Sequence, residues 1–209
     1  MLAKGIFISL EGIDGSGKST LHQVIRQSLL TEYKVISVRE PGGTFISEKI
    51  RELLLDIKNQ GIAPETEAIL YAAARAQLIK EIIAPALGHD NIVIADRFMD
   101  STIAYQGFGR GLDLKFLHEL NDLCTGGLKP DLTLLLDITP EEAQKRKAKE
   151  RPDRLEKEGI GFQKKVRQGY LRLAAEDAVR IKIITAREQE AVQKEALQYI
   201  KGLIAARWG

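Results

Sequence analysis

The stretch EGIDGSGKST, from Glu11 to Thr20, sets glycines, a lysine and adjacent hydroxyls in an order suited to holding a polyphosphate. Gly12, Gly15 and Gly17 permit a backbone path that side chains would block, so that successive N–H groups turn inward as donors. Lys18 adds a point charge for β/γ oxygens, and Ser19 offers a hydroxyl to Mg²⁺. The spacing matches G-x-x-x-x-G-K-[ST]. The run Gly12, Ile13, Asp14, Gly15, Ser16, Gly17, Lys18, Ser19 and Thr20 is therefore the candidate nucleotide-binding loop. A helix opening behind it would add its positive dipole end.

Other polar clusters stand where apolar runs stop. After VISV come Arg39, Glu40, Pro41, Gly42, Gly43 and Thr44; after IVIA come Asp96 and Arg97; after LTLLL comes Asp137. Ligands of open α/β sheets bind at the carboxyl ends of the strands, so these residues are expected to converge on the loop. Asp96 ends its run as a Walker-B carboxylate does, placed with Ser19 to hold Mg²⁺. A basic segment carries Lys145, Arg146, Lys147, Lys149, Arg151 and Arg154 around Pro152. Two readings apply to it: a solvated helix face, or a mobile flap that brings positive charge to a transferring phosphoryl group.

Positioning these residues requires strands that alternate with helices. Apolar runs at 6–10, 35–38, 92–95, 132–138 and 181–184 are separated by segments of helical period. The pattern predicts an α/β fold, with a parallel sheet covered by helices on both faces. Leu21, Val24, Ile25 and Leu29 mark the helix behind the loop. Ile46, Ile50, Leu53, Leu54 and Ile57 mark an amphipathic helix, and Ile69, Ala73, Ala76 and Ile79 another that begins near Pro64. Pro85 is expected to kink or end the latter. Cys124, the single cysteine, lies on the pattern Leu114, Leu117, Leu120, Leu123 and reads as a small buried hydrophobe.

With 209 residues the chain suits one domain, 1–209, and its formal charge of +2 does not call for nucleic acid or a membrane as partner. It has no signal-peptide pattern and no run of membrane-spanning length. A cytoplasmic protein is the expectation.

Six segments in order, EGIDGSGKST, REPGGT (39–44), YAAARAQL (71–78), DRFMDSTIAYQG (96–107), PDLTLLLDITPE (130–141) and DRLE (153–156), resemble the thymidylate kinase family of bacterial type. The resemblance implies a five-stranded P-loop nucleoside-monophosphate-kinase fold with a mobile basic lid at about 141–156. It further implies transfer of the ATP γ-phosphoryl group to dTMP, with Mg²⁺, in a homodimer. By the same resemblance Asp14 lies near the acceptor sugar and phosphates, and Arg51 and Arg97 clamp the dTMP phosphate. Tyr71 stacks on thymine, Arg75 faces the base edge, Thr102 and Gln106 meet the ring, and Tyr105 crowds the sugar 2′ position. Glu40 and Ser101 belong to the same acceptor site. The loop lacks the arginine that one subtype carries there, so the catalytic arginine falls among Arg146, Arg151 and Arg154, of which Arg154 in DRLE matches the motif best. Two departures stand out: Ala74 replaces an Asp common before the base-facing Arg, and Tyr71 replaces a Phe, so its hydroxyl needs a partner if buried. A kinase for another pyrimidine monophosphate and a non-catalytic P-loop regulatory module are the alternatives. N-K-x-D, expected of a guanine switch, does not occur.

Overall fold

The computed structural model describes residues 5–147 and 153–209. Five strands, β1 (Ile6–Glu11), β2 (Val35–Arg39), β3 (Ile92–Asp96), β4 (Leu132–Asp137) and β5 (Ile181–Thr185), form one parallel sheet in the order β2-β3-β1-β4-β5. All five coincide with the apolar runs of the sequence. The central β1 is buried along its whole length. Its alternation sorts two chemistries: Ile6, Ile8 and Leu10 point to one face, Phe7, Ser9 and Glu11 to the other.

On the first face, α1 (Lys18–Leu29) and α9 (Gln189–Trp208) cover the sheet with Leu21, Ile25, Leu29, Ala196, Ile200 and Ile204. Each of these buried leucine and isoleucine side chains contributes about 1.5 to 3 kcal/mol. On the second face, Phe7, Val93 and Ala95 meet Leu78, Ile83 and Phe98, while Leu135 and Ile181 meet Val166, Tyr170 and Leu173 of α8 (Gly159–Glu176).

Between these lie α2 (Phe45–Leu55), capped by the Thr44 hydroxyl on the Ser47 N–H, and α3 (Pro64–Leu78), which opens with proline as its first residue. The apolar stripes of α2 and α3 are only partly buried. Leu54 and Ile79 lie in the core, but Ile46, Leu53, Ile57 and Ile69 are exposed, as is Phe45 at 80%. The inward face of α3 instead carries Glu67 and Arg75 with Ala68, Ala72, Ala74 and Leu78, because this helix walls a polar cleft.

Pro85 does not end the helix. A π-helical segment, Ile79–Ile83, carries the chain into α4 (Ala84–Gly88), so the wider turn absorbs the missing proline donor. After β3 come α5 (Met99–Thr102), a second π-helical segment, Ile103–Gly109, and α6 (Leu114–Thr125). On α6 the buried positions are Leu117, Asn121 and Thr125, four apart. The three-residue leucine spacing drifts off the core: Leu123 is 81% exposed and Cys124 only half-buried. The remaining helix, α7 (Pro140–Lys147), leads into the segment containing Lys149, Arg151 and Pro152, which lies outside the described residues.

Candidate active site

The carboxyl ends of β1, β2 and β3 open into a cleft of about 750 Å³ lined by Asp14–Leu21 of the loop, Glu40, Arg51, Tyr71, Arg75, Asp96, Arg97, Ser101, Thr102, Tyr105, Gln106 and Arg146, among others. The loop needs its glycines for space as well as for angle. Gly12 has φ +139° and a Cβ there would lie 2.5 Å from the Leu136 carbonyl oxygen; at Gly15, φ +82°, it would lie 2.7 Å from that of Ala143 on α7. Helix α1 then starts with no side-chain cap, leaving its first N–H groups to the cleft.

Lys18 Nζ donates to the carbonyls of Gly12 and Ile13, both at 3.0 Å. Its pKa is lowered to about 8, first by burial and then by the Arg97 charge, against the pull of Asp14, Asp96 and Glu11. Close by, Asp96 lines the cleft with a buried Oδ1 that has no hydrogen-bond partner, and Ser19 and Thr20 are exposed at the same end. A carboxylate oxygen without a partner and hydroxyls lining the same cleft suit a hard divalent cation such as Mg²⁺.

Arg97 is the centre of the site. It adopts a left-handed backbone (φ 70°), held by its own N–H on the Leu10 carbonyl and by the Phe98 N–H on Glu11 Oε1 at 2.7 Å. This turns the guanidinium toward Asp14 at 2.6 Å, the Gly12 carbonyl at 2.9 Å, and the hydroxyls of Tyr105 at 3.0 Å and Tyr170 at 3.1 Å. Burial pushes the Asp14 carboxyl up, but the charges of Arg97 and Lys18 and the Arg97 hydrogen bond hold it well below the usual range. Arg51 shares this end of the cleft, anchored on the Pro41 carbonyl at 2.8 Å.

The facing wall is a buried polar net. Arg75, 1% exposed, donates to Glu40 at 2.7 Å, Thr102 Oγ1 at 3.0 Å, Asn121 Oδ1 at 2.7 Å and the Phe98 carbonyl at 3.1 Å. Burial raises the Glu40 carboxyl to about 7 despite the Arg75 charge. Tyr71, half-buried, lines the same cavity one turn before Arg75 on α3.

Comparison with known proteins agrees with this geometry. The thymidylate kinase family model matches residues 10–196. The chain belongs to the thymidylate kinase family. A thymidylate kinase of Desulforudis audaxviator (strain MP104C) is 49% identical over 195 residues, covering 92% of this chain and 88% of that protein. One of Thermoanaerobacter sp. (strain X514) is 47% identical over 200 residues, covering 95% and 98%. The crystal structure of thymidylate kinase from Ehrlichia chaffeensis superposes with a TM-score of 0.79 at 34% identity, covering 94% of this chain and 98% of that one.

Two expectations for this thymidylate kinase fold need correction. Arg154, the lid arginine with the best motif match, does not line the cleft: it is buried, with Nε on the Leu54 carbonyl at 2.6 Å and Nη2 2.6 Å from Glu67. A buried guanidinium needs an opposite charge, and Glu67 supplies it behind the cleft wall, although Nη2 itself makes no hydrogen bond. Arg146 does line the cleft, 4.0 Å from where a Gly17 Cβ would stand. Arg151 lies outside the described residues. Asp137, expected to converge on the loop, instead forms a two-point ion pair with Arg167 at 2.6 and 2.8 Å.

Other residues of the site carry no local signal. Glu11, fully buried, accepts from Ser101 at 2.6 Å and Tyr170 at 2.8 Å, and burial followed by the Asp100 charge raises its pKa. Asn121 and Tyr170 meet the site only through tertiary packing. The partner that orients Arg75 in place of an Asp at Ala74 is Glu40, joined by Asn121, while the Ala74 carbonyl accepts from Ser47.

Proposed function

We propose that this protein transfers the γ-phosphoryl group of ATP to the 5′-phosphate of dTMP, giving dTDP and ADP. The observation that carries the reading is the pairing of a P-loop with a second cationic site, Arg51 and Arg97, across one cleft. Nucleotide binding would draw Lys18 off the Gly12 and Ile13 carbonyls onto the β/γ oxygens. Ser19 and Asp96 would hold Mg²⁺, which supplies charge neutralisation on the phosphates. Arg51 and Arg97 would take the acceptor phosphate, with Asp14 fixing Arg97 and standing near the acceptor sugar. Tyr71 would stack on thymine, Thr102 and Gln106 would meet its edge, and Tyr105 would close the 2′ side. Arg75 and Glu40 would brace that wall, and Ser101 would join Glu11 behind Arg97. Of the two described lid arginines, Arg146 is the one that lines the cleft and would reach the transferring group, with Arg154 anchoring the lid. Phosphoryl transfer depends on positioning and positive charge, and both are present here.

The acceptor series tests this. Coupled ADP release with Mg²⁺ and ATP should rank kcat/KM as dTMP, dUMP, UMP, AMP. The ring methyl is worth about 1 to 3 kcal/mol, and a 2′-hydroxyl against Tyr105 costs desolvation. Preference for UMP or AMP would refute the pocket assignment.

The same reading places the enzyme in the cytoplasm as a homodimer. The exposed apolar residues Phe45, Ile46 and Leu53 on α2 and Ile69 on α3, with Ile57 just beyond α2, support a partner surface. Sedimentation velocity at micromolar concentration decides it: a monomeric mass would remove the dimer.

A further inference from the structure

Glu67 sits on the inward face of α3, fully buried, yet is not part of the cleft lining. Three hydrogen bonds and one ion pair converge on its carboxylate. Arg110 donates through Nε and Nη2, each at 3.2 Å, Arg154 Nη2 lies at 2.6 Å, and Gln106 Nε2 donates at 2.9 Å. Burial alone would raise its pKa, but the hydrogen bonds from Arg110 and Gln106 and the two arginine charges outweigh it, so the group is lowered and ionised.

An ionised carboxylate only accepts. The Gln106 amide must therefore turn its NH₂ toward Glu67, because the reversed amide would set oxygen against oxygen at 2.9 Å. Gln106 lines the cleft, so its remaining group, the Oε1 acceptor, serves the cavity. A parallel constraint acts on Thr102, whose Oγ1 accepts from Arg75 Nη1 and so keeps its O–H to donate. The wall then offers one acceptor and one donor. A pyrimidine with a 4-oxo group and an N3–H complements that pair; a 4-amino pyrimidine with a bare N3 mismatches both.

We infer that Glu67 is a specificity-determining positioning residue: by locking the Gln106 amide it makes the pocket accept 4-oxo and reject 4-amino pyrimidine monophosphates. The inference rests on the reading above that Gln106 and Thr102 face the acceptor base. It goes further in naming a residue that touches no substrate and in giving the physical reason for the choice. With a carboxylate behind it, Gln106 can invert for cytosine only by burying two opposed acceptors. A neutral amide at 67 could donate or accept, and the inversion would become free.

The test compares dTMP with 5-methyl-dCMP, which share size, sugar and methyl and differ only at positions 3 and 4 of the ring. kcat/KM is measured for both with the unaltered protein, Glu67→Gln and Gln106→Leu. The unaltered protein should prefer dTMP by more than about 100-fold. In Glu67→Gln that ratio should fall by about 10-fold or more, with the KM for 5-methyl-dCMP dropping relative to that for dTMP. A bracing role alone, through Arg154 and Arg110, would slow both acceptors alike and leave the ratio unchanged; that result overturns the inference. Gln106→Leu leaves the ion pairs of Glu67 intact and should also lower the ratio. If Glu67→Gln does not fold, an unchanged ratio in Gln106→Leu overturns the inference by itself. A protein that phosphorylates neither acceptor removes the kinase reading, whereas one that uses both equally removes only this inference.

Discussion

Along the acceptor wall, Glu40, Arg75, Thr102, Gln106 and, behind them, Glu67 and Asn121 are buried and tied to one another. At the phosphate end of the same cleft, Ser19, Thr20 and Arg146 are exposed and Asp96 Oδ1 has no partner. The wall is tied together before any ligand arrives except at Glu40 Oε1, which has no hydrogen-bond partner; the phosphate end is completed by the ligand. The contrast matches the demands of each task. Discriminating among bases needs donors and acceptors whose roles cannot reverse, and a low-dielectric wall enforces that. Polyphosphate and a divalent cation bring their own strong charges, so open donors suffice and remain free to exchange water for ligand.

The difference can be broken most severely at Arg75. Arg75→Ala should cost about 3 to 5 kcal/mol of stability, since it leaves a cavity, strips the buried Glu40, Thr102 and Asn121 of their shared donor and drives the Glu40 carboxyl to its neutral form. Denaturant unfolding measures this, and a loss below about 1 kcal/mol would mean that the wall is not preorganised.

At the open end the expected effect is on rate alone. Arg146→Ala should lower kcat by about 10²-fold, roughly 3 kcal/mol, with the unfolding midpoint unchanged. Arg154→Ala should lower kcat less while reducing stability, because its contacts are Glu67 and the Leu54 carbonyl. Steady-state rates beside melting curves separate the two. A large, purely kinetic loss at Arg154 would restore it as the transferring arginine.

A smaller effect sharpens the comparison through pH. Lys18, with its pKa lowered to about 8, is charged in the empty protein below that value and neutral above it. A polyphosphate favours the charged form, so ATP affinity should be full below pH 8 and fall above it by at most about tenfold, or 1.4 kcal/mol, per pH unit. Binding above pH 8 should take up a proton. Calorimetry between pH 7.5 and 9.5 in buffers of different ionisation heat checks both, and Lys18→Arg should flatten the profile. A flat profile in the unaltered protein would place the Lys18 pKa elsewhere.

The five strands, the loop and the polar residues just beyond β2 and β3 could be read directly from the chain. Each depends on neighbours in sequence: alternation or continuity of apolar residues, and glycines where φ must be positive. The same reasoning marked α2 and α3 as amphipathic, and periodicity reports that a helix has two faces and not how far each meets the core. Here Glu67 and Arg75 turn in beside small and apolar residues of α3, since the helix walls a cleft, while Phe45, Ile46, Leu53 and Ile69 are left outside. Pro85 shows a milder version of this limit: its missing donor is a local fact, but a π-helical turn absorbs it only because α3 and α4 both pack on β3 and its neighbours.

What the chain alone determined about this protein is therefore its cradle and its architecture, and with the longer motifs its family. Tertiary structure decided the rest: that Arg154 turns away to Glu67, that Asp137 pairs with Arg167, and that Glu11 and Glu67 support the site from behind. Glu67 lies 39 residues from Gln106, and Arg154 lies 100 residues from the Leu54 carbonyl. No local rule predicts such pairs. A buried charge takes whichever partner the folded backbone brings within hydrogen-bond reach, because leaving it without one costs more than any local preference can return.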